Sequence, residues 1–342
     1  MKKTLFVVIA LALLVWVALP LGAQGIRAAE PFKLGTFSNN GQQFVGIVLR
    51  DRLIVELDAA NREFESRPDA MKVPMPADMR ELITRYQSGM QRRLYEIVNA
   101  LVTDKRLEGQ GFPGFIHQAG TVRTLAPILY PTKMLNTAAN YYKAGDERQA
   151  DRGVPYLFMQ PTVGAIIGDS EDIVLPRGRK MIDAGTEVGI VIGRTTKYVK
   201  SGATNPYIFG YTITLDISDR GPRSSVSQFN SDWLQGKAHD TFAPIGPWIV
   251  PREFVKDVFN LSQRLWINDT LVQDATSNDM IHTINELVGT ADEIMTLFAG
   301  DVIAAGSPTS SEQIFLKPGD KIRATIDGIG TLNHTVKADK EE

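Results

Sequence analysis

Between Met181 and Trp248, two carboxylates interrupt apolar, β-branched runs, and a lysine follows in a segment rich in glycine and proline. Glu187 opens EVGIVIG (187–193), Asp216 lies near the end of IFGYTITLDI (208–217), and Lys237 precedes GPWIVP (246–251). On the two-residue period of a strand, Glu187 shares a face with Gly189 and Val191, and Asp216 with Thr214, Thr212 and Gly210. Tyr211, Ile213, Leu215 and Ile217 fill the opposite face. Acids placed in such strands are unfavourable unless a cation or hydrogen bonds satisfy them. Two arrangements do so: pairing with Lys or Arg, or coordination of Mg2+, Mn2+ or Ca2+ by hard oxygen ligands, which suit these ions better than zinc. The pattern leaves both open.

The surrounding chain must position these groups. MKKTLFVVIALALLVWVALPLGAQ has a basic start, an apolar run and a small-residue cleavage site around Leu21-Gly22-Ala23, the form of a secretory signal over 1–23, with an uncleaved anchor as the alternative. Either way the body is expected across the inner membrane, in a bacterial periplasm, in contact with the membrane only through that segment. The 342 residues contain no cysteine, which removes disulfides, thiolate metal sites and a cysteine nucleophile. A formal charge of −2 and the lack of a basic stripe argue against nucleic acid. No G-x-S-x-G elbow supports a serine hydrolase.

FKLGTF, FVGIVLR and LIVEL read as strands within 31–58, and 60–76, with Pro68, Pro74 and Pro76, as a loop. The stripe from Met79 to Leu101 predicts a helix over 77–102, and 136–149 reads helical from about Asn140. Beyond 161, short apolar runs separated by turns predict strands, interrupted by one helix around 279–298, on which His282 reads as solvated or capping. The expectation is a mainly β, α+β protein: a small N-terminal α+β lobe over 30–125 and a mixed β-roll or sandwich over 126–338.

The ordered motifs resemble those of the fumarylacetoacetate hydrolase family over roughly 33–338. PYLFMQPT (155–162), EVGIVIG, GYTITLDISDR (210–220), GKAHDTFAPIGPWIVP (236–251), AGDVIAAGSP (299–308) and LKPGDKIRATIDGIGTL (316–332) occur in the family's order. The resemblance implies a fumarylacetoacetase-type β-roll, usually dimeric, that binds Mg2+, Mn2+ or Ca2+ through acids. Its members act on 2-oxo and β-diketo acids through an enolate, whose charge the cation absorbs. Carried over position by position, Glu187 and Asp216 match metal ligands, and Lys237 matches the active-site lysine. Glu147 matches the glutamate of a His/Glu dyad, and Tyr141, Arg220 and Ser307 match substrate-contacting positions.

Departures accompany these matches. Gly185 stands where the first acid of an E-x-E pair is usual, Ala144 where the dyad histidine is, Gln160 for a lysine and Leu215 for an asparagine. Losing one carboxylate of three should weaken cation binding by on the order of a few kcal/mol. Losing a general base removes roughly 10²–10⁴ in rate. Asp183 and His239 are the residues near enough in sequence to compensate. The expected function is a divalent-metal-dependent hydrolase, lyase or isomerase of 2-oxo or β-diketo acids, with the cation bound weakly. The alternative is a member that binds a keto acid or dicarboxylate without turnover.

Overall fold

The structure, a computed structural model, describes residues 25–109, 111–142, 146–148, 151–221, 232–308 and 314–340. The N-terminal stretch read as a signal, and Ala144, lie outside the described residues.

Phe32–Asn39, Gln42–Leu49 and Leu53–Glu56 (β1–β3) form a meander, followed by helices Leu57–Glu65, Met79–Arg85 and Met90–Thr103 (α1–α3). Short strands Ile116–Gln118, Arg123–Thr124, Met134–Ala138, Tyr156–Gln160, Ile166–Ile167 and Asp172–Leu175 (β4–β9) lead to the long pair Ile182–Ile192 and Ile208–Asp219 (β10, β11). Ala243–Pro251, Ser262–Ile267, Thr270–Thr276, Val302–Ala304, Lys321–Ile326 and Gly330–Ala338 (β12–β17) complete the strands, with helices at Trp233–Lys237 and Ile284–Ile294. Asn40-Gly41 and Asn268-Asp269, all at positive φ, make the tight hairpin turns joining β1 to β2 and β13 to β14.

One mixed sheet runs β4-β3-β2-β1-β12-β11-β10-β15-β6-β7, with β5 on β1 and β8 on β12; a second runs β14-β13-β16-β17-β9. Leu34 of β1 pairs with Ile249 of β12, so the N-terminal meander extends the sheet that carries the two acids. The length of β11 spans two parts of the core. Ile213, Leu215 and Ile217 pack with Leu265, Ala324 and Leu332 of the second sheet, whereas Phe209 joins Leu82, Leu94 and Val98 of the helices. This is the sheet-dominated α+β fold expected from the sequence.

Three local expectations are corrected. The segment assigned as a loop from residue 60 begins inside α1: Leu57, Ala60 and Phe64 recur at helical spacing, and the first proline comes only after the helix ends. The helix over 77–102 is broken at Gly89, whose φ of 115° ends one turn and starts α3. No helix forms among the described residues of 136–149. Residues 134–138 pair with both β15 and β7, and Tyr141 bridges Met280, so sheet pairing overrides local propensity. His282 is also buried, not solvated.

The N-terminal helices are tied to the body through Glu253. Its Oε1 accepts hydrogen bonds from Tyr86 Oη at 2.6 Å, Gln91 Nε2 at 2.7 Å and Tyr95 Oη at 3.0 Å. Burial first, then the Glu253 charge, pushes both tyrosines above their ordinary pKa. Glu253→Ala strands two buried hydroxyls and should destabilise by about 2–3 kcal/mol; Glu253→Gln, which keeps an acceptor, should cost less, as read from urea midpoints.

His334 is buried, with Nδ1 2.8 Å from the carbonyl of Glu171. Burial lowers its pKa, and the nearby Asp169, Glu171 and Asp172 only offset this in part. The folded state therefore favours neutral imidazole, and the unfolded chain gains a proton below about pH 6.5. Stability should be fully present well above that pH and decline through the range below it as the pH falls. His334→Gln should flatten the decline in denaturation midpoints taken across that range.

Candidate active site

The register of β10 on β11 pairs Gly185 with Asp216 and Glu187 with Thr214. Directly opposed residues share a face, so Gly185, Glu187 and Asp216 converge, the two acids as diagonal neighbours. They line a cleft of about 290 Å³ together with Asp183, Arg220, Lys237, Ser307, Gln273, Phe158 and Trp233. Glu187 is 2% exposed, and its Oε2 accepts the Gly306 N–H at 2.9 Å. Burial, reinforced by the charge of Asp216, raises its pKa; Lys237 and hydrogen bonds from Gly306 and the Ser307 side chain pull the other way. Asp216 Oδ2 accepts from Lys237 Nζ, and from Ser218 Oγ at 3.3 Å. Asp216 Oδ1 is buried and has no hydrogen-bond partner.

Lys237 is 4% exposed and ends the helix Trp233–Lys237, which the Asp232 side chain caps by accepting from the Gln235 N–H at 2.9 Å. Its Nζ also donates to Ser218 Oγ and sits 5.5 Å from the centroid of Phe158, which stacks on Trp233 at 4.3 Å. The Gln160 amide donates to the carbonyls of Lys237 and Phe242, at 2.9 Å each, while its oxygen accepts from Asn136 Nδ2 at 2.8 Å. Gln160 thus holds the lysine's backbone on the sheet. Gly306, at φ 86°, has no room for a side chain: a Cβ would meet Asn140 Cβ at 2.9 Å and the Thr137 carbonyl at 3.1 Å. That turn aims one N–H at Glu187 and sets Ser307 over Gly185.

The structure therefore brings together Glu187, Asp216, Lys237, Arg220 and Ser307. Tyr141 and Glu147 do not line this cleft. The Tyr141 hydroxyl accepts from Gln263 in the core, because the backbone bridge to Met280 turns the residue inward. Glu147 is exposed in irregular chain, because the helix expected to present it does not form among the described residues. Asp183 faces the cleft, but its carboxylate accepts from Arg220 Nε at 2.9 Å. His239 lies 3.5 Å from Asp219 rather than in the cleft. Sequence reading missed Ser218, which the two-residue period places on the face of Asp216, and it saw Gln160 only as a departure. The Gly306 N–H carries no side-chain signal.

A buried carboxylate, Glu187, a partly exposed one, Asp216, with one buried and unpartnered oxygen, and a serine hydroxyl beside them form a hard oxygen donor set that fits Mg2+, Mn2+ or Ca2+. Among the described residues, no group of three acidic or histidine side chains is arranged to hold a metal ion.

A β-roll that gathers an acid pair and a buried lysine in one cleft defines a class of small-molecule enzyme scaffold. Residues 133–337 match the model of the fumarylacetoacetate (FAA) hydrolase C-terminal family. The chain belongs to that family. An uncharacterized protein of Pyrococcus abyssi is 38% identical over 210 residues, 61% of this chain and 92% of its own length. Mitochondrial oxaloacetate tautomerase FAHD2B of Bos taurus is 30% identical over 63% of this chain and 69% of its own. Maleylpyruvate hydrolase from Sphingobium sp. SYK-6, solved with manganese(II) and pyruvate, superposes with a TM-score of 0.68 at 26% identity, covering 90% of this chain and all of that one. Relatives thus include a tautomerase and a hydrolase, and one of them holds manganese.

If Gln160 anchors the lysine, Gln160→Leu should leave two carbonyls without donors and destabilise by about 2 kcal/mol. Measured by thermal or urea unfolding, an unchanged midpoint would show that the anchor is dispensable.

Proposed function

We propose that the chain catalyses enolate chemistry on a 2-oxo or β-diketo acid, with a divalent cation held by Glu187 and Asp216. Tautomerisation or decarboxylation fits better than hydrolysis, since neither needs an activated water and Ala144 replaces the histidine that would activate one. The observation that carries this reading is the buried Lys237 ammonium, bonded to Asp216 in the cleft that also holds Glu187. The tautomerase among its relatives and the pyruvate bound to another support the same substrate class.

When bound, the cation would act as a Lewis acid toward adjacent keto and carboxylate oxygens. Lys237 donates a hydrogen bond to the oxygen on which negative charge develops, and its three N–H groups allow that without giving up Ser218. Arg220, held at one edge by Asp183, attracts a substrate carboxylate. The stacked Phe158 and Trp233 form an apolar wall beside the ammonium, limiting the water that would screen it. The N-terminal segment, read as a signal, would place this chemistry beyond the inner membrane.

The mature protein should produce a magnesium- or manganese-dependent change in the ultraviolet absorbance of oxaloacetate or an acylpyruvate. Lys237→Met should lower kcat by about 10²-fold or more. No turnover across a panel of such acids with either metal would overturn the enzymatic reading. A second reading, binding without turnover, draws on the absence of a side chain at Gly185. Calorimetry showing keto-acid binding by an inactive protein would select it.

A further inference from the structure

The position left by Gly185 is not open space. An ideal Cβ built there would lie 2.3 Å from Ser307 Oγ, so the serine hydroxyl already occupies the first stretch of any side chain at 185. Ser307 also hydrogen-bonds Glu187, and Gly185 lies directly across from Asp216, whose Oδ1 is buried without a partner. Its backbone is fixed by Gly306, whose N–H is bonded to Glu187 and whose surroundings admit no side chain.

We infer that Ser307 supplies, through its Oγ, the third protein oxygen of the cation site, in place of a side chain at 185. This rests on the cation reading proposed above, but assigns Ser307 a different task from contacting substrate. Two strands give the acids, and the turn after β15 gives a neutral oxygen between them. A hydroxyl is a hard donor, so the site remains selective for oxygen-seeking cations; being uncharged, it leaves the site with weaker electrostatic attraction than a third acid would. The hydroxyl proton remains directed at Glu187, while the oxygen lone pairs are free to face the cation.

The test measures metal binding, not turnover, by calorimetry and by the electron paramagnetic resonance of free Mn2+. Ser307→Ala should weaken Mn2+ binding about tenfold or more while the apo protein still folds, as shown by a cooperative melting transition. Ser307→Cys separates ligation from mere orientation of Glu187. A thiolate in the coordination shell should shift preference from Mn2+ toward Cd2+ and add a sulfur-to-cadmium charge-transfer absorption, which a sulfur outside the shell would not. Unchanged Mn2+ affinity in Ser307→Ala, or a cysteine variant with neither the shift nor the band, would overturn the inference and leave the proposed function standing. Wild-type protein that binds neither metal would overturn both.

Discussion

The arrangement depends on one electrostatic constraint: two carboxylates on adjacent strands, diagonal to each other, with Glu187 buried and the Asp216 side chain only 15% exposed, so that water screens their repulsion poorly. Lys237 relieves it on the Asp216 side, and the Gly306 N–H and Ser307 relieve it on the Glu187 side. The relief is incomplete. Glu187 is pushed up to about 8 chiefly by its burial and then by Asp216, and one oxygen of Asp216 finds no donor. An acid pair that the protein surrounds with donors yet leaves short of positive charge is the electrostatic ground for the cation proposed above.

Much of the architecture serves to hold these few groups. The β10–β11 pair sets the acids in register, and β15 leads into the turn that presents the Gly306 amide. The Gln273 side chain bonds both the N–H and the carbonyl of Thr186, at 2.8 Å each, clamping the β13–β14 hairpin across β10 between Gly185 and Glu187. Gln160, held by Asn136, fixes the end of the helix that carries Lys237. The Gln160 and Gln273 amides are buried with both their oxygen and nitrogen bonded, the condition under which polar networks specify geometry rather than weaken a core.

What was legible in the sequence follows from periodicity. Strand alternation put Glu187 and Asp216 on interior faces, and the ordered motifs placed Lys237, Arg220 and Ser307 with them. What was not legible depends on long-range pairing or on backbone atoms. The failure around Asn140 is of the first kind: a locally helical stretch is drawn into the sheet by partners more than a hundred residues away, which leaves Tyr141 facing the core and Glu147 at the surface. The Gly306 amide and the occupancy of the space beside Gly185 are of the second kind. A sequence shows a glycine at 185; only coordinates show that the Ser307 hydroxyl stands beside it.

The charge balance of the cleft indicates what ligand it suits. Among the described residues, five charged side chains line it: Glu187, Asp216 and Asp183 against Lys237 and Arg220. Asp183 and Arg220 neutralise each other, leaving, when Glu187 is ionised, a formal excess of one negative charge shared by the acid pair and the lysine. A divalent cation reverses that sign to a single positive charge, whereas a third acid at position 185 would have brought the loaded cleft to neutrality. The loaded site therefore attracts an anion more strongly than a three-acid version would, and holds the cation less tightly by the same interaction. Since charges in one cleft act on each other reciprocally, cation and anionic ligand each raise the affinity for the other. On the proposed cation reading, a glycine–serine pair at this place would make cation retention depend on the protein together with its bound acid.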